Sequence, residues 1–246
     1  MENTQSNFIY LHGLPGSAEE VSAFNNAQIL YMSPYDLKGF EDQFNRTKRY
    51  TIIGFSLGCM TAIEIASKYS NNIDALILIS PAAPLELGDF LDAMDGRFVF
   101  RGAQKNSVIL SLLTLSQTVM AHVSPNFLMR KMFGESCDAE HELLKNQKFV
   151  TIFQNGLRLS LGRERKQYEK TIKRYINPWA EIVGKVTCPV QIWHGTEDTW
   201  APHAMGVALK QKFQTDCKLI SCAQLGHYST LHHAIKHIFK NHPVGN

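Results

Sequence analysis

The chain has 246 residues, enough for one large α/β domain or a core with a modest insertion. With 44% hydrophobic and 19% charged residues and a formal net charge of +3, it reads as an ordinary folded protein and lacks the dense basic surface of a nucleic-acid binder. Its five cysteines (Cys59, Cys137, Cys188, Cys217 and Cys222) form no CxxC pair and include an odd member, which fits free thiols in a reducing compartment better than a disulfide framework.

The stretch from Met1 to Asn7 is polar and Phe8 already opens an apolar run, which leaves no room for a secretory leader. No apolar run approaches the ~18 residues of a membrane span. A soluble cytoplasmic protein is expected, with no nucleic-acid partner and no stable membrane association; the oligomeric state is left open.

Residues 8–11 form a short apolar run that ends at the turn His12-Gly13-Leu14-Pro15-Gly16-Ser17. A second run covers 29–32, and residues 36–48 read as a helix with Leu37, Phe40 and Phe44 at helical spacing. A strand over 50–53 is followed by Gly54-Phe55-Ser56-Leu57-Gly58, a helix over 59–69 and a buried strand over 75–79. Strands that are apolar throughout and alternate with helices indicate a parallel sheet covered on both faces. From 85 to 179 strand-like runs disappear, and helical patterns rich in Leu, Met and Phe span 108–123, 126–133, 139–154 and 157–175. In the last of these, Arg163, Lys166, Lys170 and Lys173 form a basic stripe, most simply a solvated face, with an anionic membrane or partner as the alternative. Alternation resumes with a strand over 190–193, a helix over 205–213, a strand over 218–220 and a final helix over 230–240. The expected division is therefore an α/β core over 1–84 and 180–246, interrupted by an all-helical insertion over 85–179.

A serine between two glycines at a strand-to-helix turn has the form of a nucleophile elbow, in which the side-chain oxygen stands above the end of a sheet. A serine hydroxyl is a poor nucleophile at neutral pH and needs a base within reach and a group to orient that base. After the strand at 190–193 comes His194-Gly195-Thr196-Glu197-Asp198, and after the strand at 218–220 comes Gly226-His227-Tyr228, placed before the final helix. Both lie beyond strand ends, where ligand-facing residues of open α/β sheets collect.

In this order the motifs resemble those of the α/β-hydrolase superfamily, specifically its capped serine hydrolases of esterase or lipase type. The resemblance runs from His12 to His227. It implies an α/β-hydrolase fold with a mostly parallel sheet of about six strands, helices on both faces and a helical cap. It also implies Ser56 as nucleophile, His227 as general base and then acid, and Asp198 as the orienting acid. The backbone N–H groups of Leu14 and Leu57 would form the oxyanion hole. Asp198 is favoured over Glu197 because the family's acid sits third after the glycine. His227 is favoured over His232, His233, His237 and His242, which read as a terminal helix and its end; His233 and His237 have metal-compatible spacing but no accompanying Glu. His12 and His194 are expected to hydrogen-bond nearby loops. No metal or organic cofactor is implied, because Ser/His/Asp chemistry is self-contained. The leading function is cleavage of a small or medium, apolar ester, thioester or amide through an acyl-enzyme. Carbon–carbon bond hydrolysis, acyl transfer or perhydrolysis on the same triad, and a ligand-binding sensor of hydrolase ancestry, are the alternatives.

Overall fold

The computed structural model describes residues 7–24, 29–35, 37, 41 and 44–241. Its sheet is built from β1 (Asn7–Leu11), β2 (Ile29–Met32), β3 (Tyr50–Phe55), β4 (Ile73–Ile79), β5 (Val190–Gly195) and β6 (Cys217–Cys222). The strands lie in the order β2-β1-β3-β4-β5-β6, and every pairing is parallel. The central strands are buried on both faces: Ile9, Leu11, Ile52, Ile53, Leu76, Leu78 and Ile192 are fully enclosed. Each such side chain contributes about 1.5–3 kcal/mol through removal of apolar surface from water, which is why these strands read as unbroken apolar runs.

Helices α1 (Gly58–Lys68) and α9 (His203–Lys212) pack against the sheet, and α8 (Ala180–Val183) packs on both of them. Helix α10 (His227–Asn241) packs on β5 and against the 3-10 turn Ala18–Phe24. Of the helix expected over 36–48, residues 36, 38–40, 42 and 43 lie outside the described residues. Its C-terminal part is not helical, because the Asn45 side chain accepts hydrogen bonds from the Thr47 N–H at 2.9 Å and hydroxyl at 2.7 Å and closes a turn there.

Between β4 and β5 the described chain contributes no strand. It forms α2 (Arg97–Lys105), α3 (Ser107–Val123), α4 (Pro125–Met132), α5 (Asp138–Leu144), α6 (Gln147–Arg158) and α7 (Arg165–Tyr175). The run expected as one helix over 139–154 is two, because Asn146 caps a new helix by accepting from the N–H groups of Lys148 at 2.9 Å and Phe149 at 3.3 Å. The run expected as one helix over 157–175 is interrupted by a π-helical turn, Leu159–Arg163. Both ends of this helical segment meet at the core, where the Glu86 carboxylate accepts from the N–H groups of Trp179 and Ala180, each at 2.6 Å.

Candidate active site

In the strand order, β1 lies between β2 and β3, so the chain leaves β1 toward one side and β3 toward the other. Crevices form at such switch points, beyond the carboxyl ends of the strands. Here they gather the turn after β1 and the turn after β3, which carries Ser56. Ser56 adopts a left-handed backbone conformation with φ 54°, a costly geometry for a non-glycine residue. It is held by its N–H donating to Ile79 O at 3.0 Å and by its carbonyl accepting from the N–H groups of Cys59 and Ala82 at 3.1 and 3.3 Å. Close approach explains two of the surrounding glycines. A Cβ on Gly58 would sit 2.4 Å from His12 O and 2.6 Å from Leu11 O, and one on Gly13 would sit 2.8 Å from the Phe55 ring and 3.1 Å from Ser56 Cβ.

Asp198 and His227 are brought into contact from separate loops. His227 Nδ1 lies 2.8 Å from Asp198 Oδ2, with both side chains buried. The second carboxylate oxygen, Oδ1, accepts from the N–H groups of Trp200 at 3.0 Å and Ala201 at 2.9 Å. Burial alone would raise the Asp198 carboxyl, but the charge and hydrogen bond of His227, with further help from His194, outweigh it and hold the group well below the usual carboxylate range. An ionised Asp198 therefore accepts the Nδ1–H of His227, which leaves Nε2 as the ring nitrogen outside that bond. The Trp200 ring stacks on His227 at 5.3 Å, and the Phe55 ring lies 4.8 Å from it on the strand that ends at Ser56. His227 is not in a loop ahead of the last helix but is its first residue. The Gly226 carbonyl closes that first turn by accepting from the Thr230 hydroxyl at 2.5 Å, which starts the helix earlier than the expected residue 230.

The Ser56 hydroxyl and the N–H groups of Leu14 and Leu57 have no hydrogen-bond partner among the described residues. All three residues line one cavity of about 810 Å³. Its floor is Ser56 and its far walls come from the helical segment, including Phe100, Leu113, Met120, Leu128 and Leu161. His12 is buried and neutral, its imidazole lowered to about 4 by burial, and its Nδ1 bonds Gly13 O at 2.7 Å. His194 donates from Nε2 to Ala201 O at 2.7 Å. Both thus hydrogen-bond loops, as expected. His233 and His237 are exposed and flank Trp193, at ring separations of 6.0 and 5.1 Å. Among the described residues no group of three or more His, Cys, Asp or Glu is placed to hold a metal ion.

Three side chains that the sequence reading did not single out hold these loops. Glu140 of α5 accepts from the Ser229 N–H and hydroxyl, each at 2.7 Å, at the start of α10. Ser160, on the π-helical turn, accepts from Gly16 N–H at 3.1 Å and donates to Gly16 O at 3.0 Å. Glu20 accepts from Ser17 N–H at 3.3 Å and from the Tyr10 hydroxyl at 2.9 Å. Only the last has a local signature, the Ser17-x-x-Glu20 spacing of a capping box. The other two partnerships join residues far apart in the chain.

A family model described as alpha/beta hydrolase fold matches residues 29–234. No curated protein matches the chain. Among solved structures, the enol-lactonase from Burkholderia xenovorans is 15% identical with a TM-score of 0.63, covering 98% of this chain and 92% of its own. A thermophilic esterase from Thermogutta terrifontis is 16% identical with a TM-score of 0.62, covering 96% and 89%. The bromoperoxidase from Bacillus anthracis is 14% identical with a TM-score of 0.64, covering 96% and 90%. At these identities the likeness is one of fold. With the family match extending over most of its length, the chain belongs to the alpha/beta hydrolase fold family.

Proposed function

We propose that the protein is a serine hydrolase that cleaves an apolar ester, thioester or amide of small to medium size through an acyl-enzyme on Ser56. The observation that carries this reading is the buried Asp198–His227 pair, 2.8 Å apart, whose imidazole packs against the Phe55 ring, next in the chain to a conformationally strained serine that lines a largely apolar cavity. Ser56 Oγ attacks the carbonyl carbon while His227 Nε2 takes its proton, and Asp198 stabilises the imidazolium. The free N–H groups of Leu14 and Leu57 receive the oxyanion, an interaction worth about 3 kcal/mol per donor in the transition state. His227 then returns the proton to the leaving group. Water, deprotonated by the same nitrogen, releases the acid. Ser56 Oγ makes no hydrogen bond among the described residues, and the proposed chemistry requires that it bond His227 Nε2 once substrate fills the cavity. The esterase and enol-lactonase among the similar folds are named for ester chemistry, which agrees with this reading.

The test is rapid-mixing hydrolysis of p-nitrophenyl esters of increasing acyl length by wild type and Ser56→Ala. The expected result is a nitrophenolate burst equal to the enzyme concentration that is absent in the variant. Equal rates in both proteins would remove Ser56 from the chemistry. A ligand that raises the melting temperature yet is never consumed would point to a sensor.

A further inference from the structure

Residues 97–132 contain five cations, Arg97, Arg101, Lys105, Arg130 and Lys131, and no Asp or Glu. At their centre is α3, seventeen residues without a Lys, Arg, Asp or Glu and about 25 Å long at helical rise. Its spacing leaves Val108, Leu112, Leu115, Val119 and Val123 along one outer stripe, exposed by 68, 62, 48, 53 and 78%. Soluble proteins rarely leave so continuous an apolar face uncovered. Phe98 of α2 and Phe127 of α4, helices that pack against α3, are likewise 64% and 56% exposed, and both line the cavity that also holds Ser56 in its wall. Lys105, Arg130 and Lys131 lie beyond the two ends of α3 and have no carboxylate partner among the described residues; Arg101 pairs with Asp92. No described helix is long and apolar enough to cross a membrane.

We propose that the outer face of α3, with Phe98 and Phe127, lies in the plane of an anionic lipid surface and opens the cavity toward it. An uncharged helical face flanked by lysines and arginines is the composition of a segment that rests in a headgroup layer: the apolar stripe enters the acyl boundary and the cations meet lipid phosphates. Two exposed rings that also line the cavity, Phe98 and Phe127, favour lipid over a protein occupant. A second copy or another protein on Phe98 and Phe127 would cover the cavity mouth, whereas a lipid layer there supplies apolar substrate directly. The contact is peripheral and reversible. Its role in substrate delivery rests on the hydrolase reading; the binding itself does not.

The experiment is co-sedimentation at low salt with vesicles of phosphatidylcholine alone or with phosphatidylglycerol. It compares wild type, Leu112→Ser/Val119→Ser and Lys105→Ala/Arg130→Ala, after circular dichroism and thermal melts have established that each variant is folded. Wild type is expected to sediment with the anionic vesicles. The serine pair should weaken this at least roughly tenfold, and the alanine pair should weaken it about fivefold per cation removed. Failure of wild type to bind, or binding that both variants leave unchanged, overturns the proposal. So does a concentration-dependent dimer that the serine pair dissolves, since a second copy would then cover the face. Hydrolysis of soluble p-nitrophenyl acetate, measured alongside, separates the two readings. Hydrolysis without vesicle binding discards the lipid surface alone, and vesicle binding without hydrolysis discards the hydrolase alone.

Discussion

Replacing Glu20 by Gln should stabilise the protein at alkaline pH and leave it unchanged in acid. Glu20 is buried beneath the 13–17 turn. Burial raises its carboxyl from 4.5 to about 8, against the opposing pull of hydrogen bonds from Tyr10, Ser17 and Gly13. In the unfolded chain the group loses its proton near 4.5, whereas the folded protein keeps it to about 8. Across that window the folded state binds more protons, so stability is greatest below the lower value and falls as pH rises toward the upper one. The full gap corresponds to about 5 kcal/mol, at 1.36 kcal/mol per unit. Glutamine has the shape and charge of the protonated acid: its carbonyl oxygen accepts from Ser17 N–H, and its NH2 donates to the Tyr10 hydroxyl oxygen as the O–H of the protonated acid does. Urea denaturation at pH 4.5, 6, 7 and 8.5 should give coincident curves for the two proteins at the lowest pH and a variant that gains steadily above it. A variant less stable than wild type at pH 8.5, or a difference that does not grow with pH, would mean that Glu20 is ionised in the fold, and would refute the account of that turn.

Asp198→Asn keeps the shape of the carboxylate but loses its charge and can present an N–H to His227 Nδ1, which favours the wrong tautomer; kcat should fall by about four orders of magnitude with little change in melting temperature. Ser160→Ala strips both partners from Gly16 and leaves a buried N–H unpaired, at a cost of about 1–3 kcal/mol. If that cost is felt at the Leu14 donor, kcat drops roughly tenfold per 1.4 kcal/mol while KM stays near its original value, as steady-state kinetics would show. Gly58→Ala drives a methyl against the carbonyls of His12 and Leu11, neither of which can rotate away. Urea midpoints should register a loss of several kcal/mol, or the protein should fail to fold; a loss under about 0.5 kcal/mol, the range of neutral surface changes, would mean that the elbow has slack.

The core was legible because burial on both faces leaves a plain mark. The runs at 8–11, 29–32, 50–53, 75–79 and 190–193 coincide with strands of the sheet to within a few residues at their ends. The contact between Asp198 and His227 was legible for a related reason, since each follows a strand whose position in the sheet brings its loop to the same edge. Periodicity failed where a local side chain or a change of helical pitch intervened. Asn146 divides one apolar pattern into two helices, and the π-helical turn at Leu159–Arg163 shifts the phase of another while bringing Ser160 to Gly16. The first turn of α10, closed by the Gly226 carbonyl and the Thr230 hydroxyl, is also held by Glu140, a partner 89 positions away that no local pattern marks. Long-range clamps of this kind connect the helical segment to the loops of Leu14 and His227, and no short window of sequence contains both halves.

The most direct test of the central claim is intact-mass analysis after mixing with a fluorophosphonate, comparing wild type with Ser56→Ala. An activated Ser56 predicts one adduct per chain on wild type, mapped by proteolysis to the peptide containing Ser56, and none on the variant. An adduct that persists in Ser56→Ala, or its absence from folded wild type, would contradict the assignment of Ser56 as the nucleophile served by His227 and Asp198.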